Sequence, residues 1–343
     1  MADPVSTARV VCFGEVLLRL SGPAGEQLLQ SPRLDVCVGG AEANVAVSLA
    51  RLGLDAAMVS ALPDNPLGRA ARDELRRHGV DTRGIGFAPG RMGLYFLVPG
   101  AVLRPSEITY DREDSAFAKA DPEGVDWSGQ LEGADWLHIS GLTPAVGPSA
   151  AKAAVRAVTE ARRLGVKVSF DGNFRGKMWS AWQGDAPRIL REILEQADFA
   201  FLNERDIGLV LGQDFSQGDV AEGRQRAADA AFEAFPKLQR LADTVRRHRD
   251  VGNHELSALM LTRERRLETR EFSLSGIVDR IGAGDAFAAG VLFGLSRGET
   301  EQAALEFGLA AACLKHSIRG DFNLVYEDDV RALIAGGGLD VRR

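Results

Sequence analysis

The segment Asp279-Arg280-Ile281-Gly282-Ala283-Gly284-Asp285-Ala286-Phe287 combines small residues, an acid and the start of an apolar run. Small residues at 282 to 284 let backbone N–H groups converge on an anion, and a helix opening there adds a partial positive charge. An acid directly after a turn that only binds phosphate is out of place, because like charges repel. Asp285 makes sense there if it takes a proton from a hydroxyl attacking the phosphorus. The competing reading makes Gly-Ala-Gly a tight turn and Asp285 a helix cap, and spacing alone leaves the two evenly matched. Phe287 stands where a dinucleotide fingerprint needs its third glycine. No G-x-x-x-x-G-K-[ST] occurs, which excludes a P-loop kinase.

A second segment, Gly39-Gly40-Ala41-Glu42-Ala43-Asn44-Val45-Ala46, places paired glycines before a helix. Glycines let the backbone approach a ligand closely, and Asn44 offers both a donor and an acceptor to hydroxyls. A tight loop into a helix would look the same. His254-Glu255 lacks a second histidine four residues on, so no zincin site is present.

These segments need elements to hold them. β-rich runs are predicted at 10–13, 56–61, 136–139, 166–170, 199–202, 256–261 and 269–274. Helices are predicted at 41–52, 68–78, 149–164, 186–196, 284–296 and 300–317, with Gly53, Gly79 and Gly165 as stops. That alternation implies a mostly parallel sheet covered on both faces, with ligands beyond the carboxyl ends of its strands. Two stretches break the rhythm. Strand-like runs within 32–38 and 93–112 have no helices between them and read as a small β-layer serving as a lid. The stretch 217–252 reads as a long helix carrying Lys237, Arg240, Arg246, Arg247 and Arg249, a basic helix over 237–249 whose charged face is solvated.

Composition narrows the classes further. The 343 residues carry 41 Lys and Arg against 48 Asp and Glu, a net charge of −7 that argues against nucleic acid as a partner. No apolar run is long enough to cross a bilayer, and the one at 10–13 is cut by Gly14 and Glu15, too short for a signal-peptide core. Cys12, Cys37 and Cys313 are odd in number and far apart, and no N-x-[ST] acceptor occurs, which points to a reduced cytoplasmic compartment.

Together, the two glycine segments resemble the two signatures of the PfkB (ribokinase-like) carbohydrate kinases, and the resemblance runs from about residue 10 to residue 330. It implies a ribokinase-like three-layer α/β sandwich with a mostly parallel central sheet and a small β lid, a single domain over 1–343. It also implies transfer of the ATP γ-phosphoryl to a sugar hydroxyl, with Asp285 as base and the Gly282, Ala283 and Gly284 amides as anion hole. Arg280 departs from the Thr or Pro common in the family. Asn203-Glu204-Arg205-Asp206 stands where the family has Asn-x-x-Glu, so Asn203 and Asp206 are expected to organise Mg²⁺ through water, Asp206 being one methylene shorter. Nucleotide contacts between 251 and 270 have no readable counterpart and stay unassigned.

The substrate side resembles one branch, the 2-keto-3-deoxygluconate kinases. Tyr110-Asp111-Arg112 is similar to its Tyr-x-Arg element, Asp171-Gly172-Asn173-Phe174-Arg175 to its Asp-x-Asn-x-Arg element, and Gly93-Leu94-Tyr95 and Arg319-Gly320-Asp321 match as well. The resemblance then implies that Gly40, Asn44, Tyr95, Tyr110, Arg112, Arg175 and Asp321 hold a sugar acid. The chemistry agrees, since guanidinium forks bind carboxylates bidentately while a neutral sugar has no use for a pair of arginines. A kinase for fructose or a related keto sugar acid is the nearest alternative, and a catalytically silent sugar-binding regulator a more distant one. Lid strands of such kinases often pair between subunits, so a homo-oligomer through the lid is expected.

Overall fold

The computed structural model describes residues 7–337 apart from position 24; the rest of the expected 1–343 domain lies outside the described residues. In chain order the strands are β1 (Arg9–Phe13), β2 (Leu17–Ser21), β3 (Asp35–Gly39), β4 (Asp55–Pro63), β5 (Ile85–Ala88), β6 (Leu94–Val98) and β7 (Glu107–Asp111). They continue as β8 (Trp136–Ser140), β9 (Lys167–Asp171), β10 (Phe199–Phe201), β11 (Arg240–His248), β12 (Asn253–Thr262), β13 (Arg266–Glu268) and β14 (Phe272–Ser275).

A ten-stranded sheet runs β13-β12-β11-β10-β9-β8-β1-β4-β5, with β14 beside β12. From β5 to β11 every pairing is parallel, while β12, β13 and β14 join antiparallel at one edge. The parallel strands are apolar on both faces because both are covered. In β1, Val10 and Cys12 pack into one helical layer while Val11 and Phe13 pack into the other. Helices Ala41–Leu52, Ala283–Ser296 and Glu301–Lys315 contribute to the first layer, and Pro148–Arg163, Ala186–Leu194, Glu204–Leu211 and Val220–Ala234 to the second. This is the α/β sandwich of the ribokinase-like fold.

A separate four-stranded sheet, β3-β2-β6-β7, holds the strand-like runs of 32–38 and 93–112. Its β2, absent from the sequence reading, pairs antiparallel with β3 and parallel with β6. Arg19 in the middle of β2 hides the strand from any apolar pattern, yet it is buried. Leu17, Tyr95 and Leu97 of this sheet pack with Ile108, Tyr110 and Ile281, which brings the small sheet over the turn before helix Ala283–Ser296.

The expected basic helix over 237–249 is a strand. Helix Val220–Ala234 stops ahead of Pro236, which cannot continue it. The chain then enters β11, flanked by β10 in parallel and β12 antiparallel. Two sheet neighbours and buried Leu241 and Ala242 outweigh the helical propensity of the arginines. The basic residues are distributed instead: Arg240 pairs with Glu301 at 2.7 Å, Arg247 with Glu271 at 3.3 Å, and Arg249 with Glu255. Of the run expected at 269–274, only 272–274 is strand, in β14, and 269–271 separates it from β13.

Candidate active site

The chemistry gathers at the carboxyl edge of the parallel sheet. Gly282 caps helix Ala283–Ser296 with φ 81° and ψ 1°, in the left-handed region. A Cβ there would stand 2.0 Å from the Asp321 carbonyl oxygen, so only glycine fits. N–H groups in a helix's first turn have no intrahelical carbonyl to reach. Here the Ala283 N–H reaches the Arg280 carbonyl at 3.3 Å, while a side chain on Gly284 would meet nothing within 4 Å. The turn is therefore open on its Gly284 side. Ala283 itself faces away from the cavity and is buried in the core.

Asp285 is the third residue of that helix and is 9% exposed. Asn44, on the helix after Gly40, donates from Nδ2 to Asp285 Oδ2 at 2.6 Å. Burial pushes the Asp285 carboxyl up to about 7. The Asn44 hydrogen bond and Arg175 oppose this, while Asp321 and Glu42 add to it. Asn44 Oδ1 is buried with no partner among the described residues, an acceptor waiting for a donor. Glu42 is occupied by Thr143 Oγ1 at 2.6 Å and by the N–H and Oγ of Ser140, both at 2.8 Å.

A cavity of about 430 Å³ opens beside Asp285. All seven residues expected to hold the sugar acid line it: Gly40, Asn44, Tyr95, Tyr110, Arg112, Arg175 and Asp321. Gly40 adopts φ 135°, and a Cβ there would lie 2.2 Å from the Glu15 carbonyl oxygen. The seven differ in how free they are. Arg112 is buried, with Nε donating to the Glu15 carboxylate, whose other oxygen accepts from Ser115. Asp321 is held from both sides, accepting from Tyr95 Oη at 2.7 Å and facing Arg19 Nη1 at 2.9 Å. Among the described residues, Arg175 donates only to the neighbouring Phe174 carbonyl, at 2.9 Å. The expected two-arginine fork is thus unequal: Arg112 is committed to a buried carboxylate and Arg175 is available.

A second cavity, of about 350 Å³, holds Asn203 and Asp206 together with Asp243 and Thr244. It shares Asp171, Asn173, Arg175 and Gly284 with the first, so one cleft passes the open turn. Asn203 and Asp206 form a reciprocal capping box. Asn203 Oδ1 accepts from the Arg205 and Asp206 N–H groups at 2.9 and 3.1 Å, and Asp206 Oδ2 accepts from the Asn203 N–H at 3.2 Å. Among the described residues no cluster of three or more His, Cys, Asp or Glu could enclose a metal. Asp206 keeps its Oδ1, and such a donor set suits a cation that retains most of its water.

The geometry allows a hydroxyl in the first cavity to meet an anion at the turn, with a carboxyl of pKa about 7 beside both. The model of the pfkB family carbohydrate kinases matches residues 7–323. This chain belongs to the pfkB family. Among its relatives, a 2-dehydro-3-deoxygalactonokinase of Haloferax volcanii is 34% identical over 98% of this chain and 100% of its own. The structure of a 2-dehydro-3-deoxygluconokinase from Thermotoga maritima superposes with a TM-score of 0.90 at 38% identity, covering 96% of this chain and 100% of that one. A fructokinase of Klebsiella pneumoniae is 29% identical over 87% of this chain and 92% of its own. This pfkB protein is therefore a sugar kinase.

Several residues of the kinase cleft escaped the sequence reading. Asp171 ends β9 inside the Asp-x-Asn-x-Arg element, and burial, then Asp285 and Asp206, push its carboxyl well up. Arg246 and Arg280 line the sugar-side cavity. Arg280 was legible only as a departure from the family pattern, and Arg246 was masked by the expected helix. Glu15 follows the first strand, and only its partner Arg112, 97 positions away, reveals its task.

Proposed function

We propose that this kinase transfers the γ-phosphoryl group of ATP to the 6-hydroxyl of 2-keto-3-deoxygluconate, giving 2-keto-3-deoxy-6-phosphogluconate and ADP. The observation that carries the reading is charge. Among the described residues, Arg175, Arg246 and Arg280 have no carboxylate within ion-pair distance, yet all three line one sugar-sized cavity beside Asp285. Guanidinium groups facing a cavity call for an anionic ligand there. The relatives named for 2-dehydro-3-deoxy sugar acids favour the same substrate class.

In this reading the sugar lies between Gly40 and the small sheet, which acts as a lid. Asn44 accepts a sugar hydroxyl at its unpartnered Oδ1. Tyr95, Tyr110 and Asp321 fix the ring side, with Arg112 anchored by Glu15. Asp285 takes the hydroxyl proton as the oxygen–phosphorus bond forms and the bond from phosphorus to the ADP oxygen breaks. The N–H groups at Gly282 and Gly284 face the charge that gathers on the transferred group. ATP occupies the neighbouring cavity, with Arg175 at the boundary. Asp206 and Asn203 would hold Mg²⁺ through water, and that ion supplies charge neutralisation on the phosphates.

The fructokinase relative favours a second reading, a neutral ketose as acceptor. Incubation with Mg-ATP and 2-keto-3-deoxygluconate, followed by phosphorus-coupled NMR of the product, separates the two. The proposal expects a monophosphate coupled to the C6 protons. A protein that phosphorylates fructose and leaves the sugar acid untouched contradicts it.

A further inference from the structure

Lys315 closes helix Glu301–Lys315 and is 0% exposed. An ammonium is rarely buried unless charge and hydrogen bonds surround it. Its Nζ donates to the Ile318 carbonyl at 2.9 Å. Its Cε would lie 3.4 Å from a Cβ on Gly282, so the side chain runs directly beneath the open turn. Burial pushes the ammonium's pKa down, while Asp279 and Asp321 favour its charged form and Arg19 opposes it. Arg19 Nη2 stands 2.7 Å from Asp279 Oδ2, and its Nη1 stands 2.9 Å from Asp321 Oδ1. Asp279 in turn accepts from the Ile281 and Gly320 N–H groups at 3.0 and 3.1 Å, tying both loops to this buried group.

The charge count decides what Lys315 does. Two carboxylates, Asp279 and Asp321, face one guanidinium, Arg19. With both carboxylates ionised, those three alone are net negative, directly under a turn that must receive a phosphoryl anion; burial raises the Asp321 pKa, and Arg19 and Lys315 oppose that rise. In a poorly solvated interior such a charge is felt strongly across a few ångströms. Lys315 brings the group to neutrality. We propose that Lys315 is a positioning residue for phosphoryl transfer, balancing the Asp279–Arg19–Asp321 group and holding the loop at Ile318 against Gly282 so that the turn stays receptive to an anion.

The inference rests on Asp285 as proton acceptor and makes that residue its reporter. The groups facing Asp285 are Glu42 and Asn44 on one helix, Asp171 and Arg175 at the β9 end, Asp321 and Lys315. Loss of the Lys315 cation must raise the Asp285 pKa, and loss of the Asp321 anion must lower it.

The test is the pH dependence of kcat/KM for the wild-type protein, Lys315→Met, Asp321→Asn and the double variant. Lys315→Met is expected to move the acid limb up by about one pH unit and to lower kcat about tenfold or more. Asp321→Asn moves the limb down, and the double variant brings it back toward the wild-type position. Millimolar ammonium ion should restore part of the kcat lost in Lys315→Ala. If Lys315→Met does not fold, the limb of the double variant is expected above that of Asp321→Asn. An unmoved limb in Lys315→Met, or shifts of one sign in both single variants, overturns the inference while leaving the base intact. A wild-type profile without an acid limb overturns the Asp285 reading itself.

Discussion

Asn44 and Asp285 are 241 positions apart in the chain and meet at 2.6 Å, the amide Nδ2 donating to the carboxylate. This bond couples the glycine-led helix Ala41–Leu52 to the turn at Gly282. It stabilises the ionised form of Asp285 against burial, and it leaves Oδ1 unengaged on a side chain that lines the cavity.

Asn44→Leu removes that bond while keeping the side-chain volume. The Asp285 pKa should rise, and the acid limb of kcat/KM should move up by about one pH unit. KM for the sugar should rise as well, since a hydroxyl partner is lost. A pH profile at saturating ATP reads both effects. An unchanged limb with a raised KM would mean that Asn44 serves the sugar alone.

Asp285→Asn should lower kcat by about 10²–10⁴ while ligand binding remains measurable by calorimetry. Its stability should change with pH in a defined sense. In the folded protein Asp285 titrates at about 7, well above an unfolded aspartate at about 3.9. As pH rises between these values, the unfolded chain releases the proton and the folded protein keeps it, so ionisation destabilises the fold. Above 7 the cost is constant. The variant escapes it, so its Tm should match wild type near pH 4 and exceed it by a few degrees at pH 8. Equal Tm differences at both pH values would contradict a raised Asp285.

Much of the site was legible because its chemistry lies in short segments. The run Gly282 to Asp285 combines turn, anion cradle and acid within one stretch, and Gly40 and Asn44 sit within another. The parallel sheet was legible for a similar reason, since strands such as β10, Phe-Ala-Phe and buried at every position, read as unbroken apolar runs. What escaped depends on pairs that the fold brings together from far apart. Arg19 looks like a surface residue in a short strand until Asp279 and Asp321 close on it. Arg112 looks like a free fork until Glu15 takes its Nε. The basic run at 240–249 looks like a helix face because β11, although flanked on both sides within the sheet, has no local signature beyond Leu241 and Ala242.

The two arginines should behave differently. Arg175 pairs with no carboxylate among the described residues, so Arg175→Ala should lower kcat/KM for the sugar acid roughly 10- to 100-fold, with intact folding. Arg112→Ala leaves Glu15 buried without its partner, so it should lose thermal stability as well as activity. Arg112→Lys should recover the stability before it recovers the activity. Thermal unfolding and kinetics on the same preparations distinguish them. An Arg112→Ala protein with wild-type Tm would mean that the Glu15 pair does not anchor the lid.

Chelation of Mg²⁺ should stop turnover reversibly. Asp206→Ala should raise the magnesium concentration needed for half-maximal rate and, by opening the capping box with Asn203, cost about 1 kcal/mol of stability. Titration with magnesium at fixed ATP measures the first effect and urea unfolding the second. Loss of stability with an unchanged magnesium requirement would confine Asp206 to capping.

The most direct test of the sugar-acid kinase is the ratio of kcat/KM for 2-keto-3-deoxygluconate to that for fructose, measured by ADP release. Carboxylate recognition by an unpaired guanidinium, worth about 1.5–3 kcal/mol, predicts a ratio of roughly 10 to 100 or more in favour of the acid. The same ratio in Arg175→Ala should fall toward one. A wild-type ratio of one or below, with fructose turned over at least as well as the acid, would contradict the account.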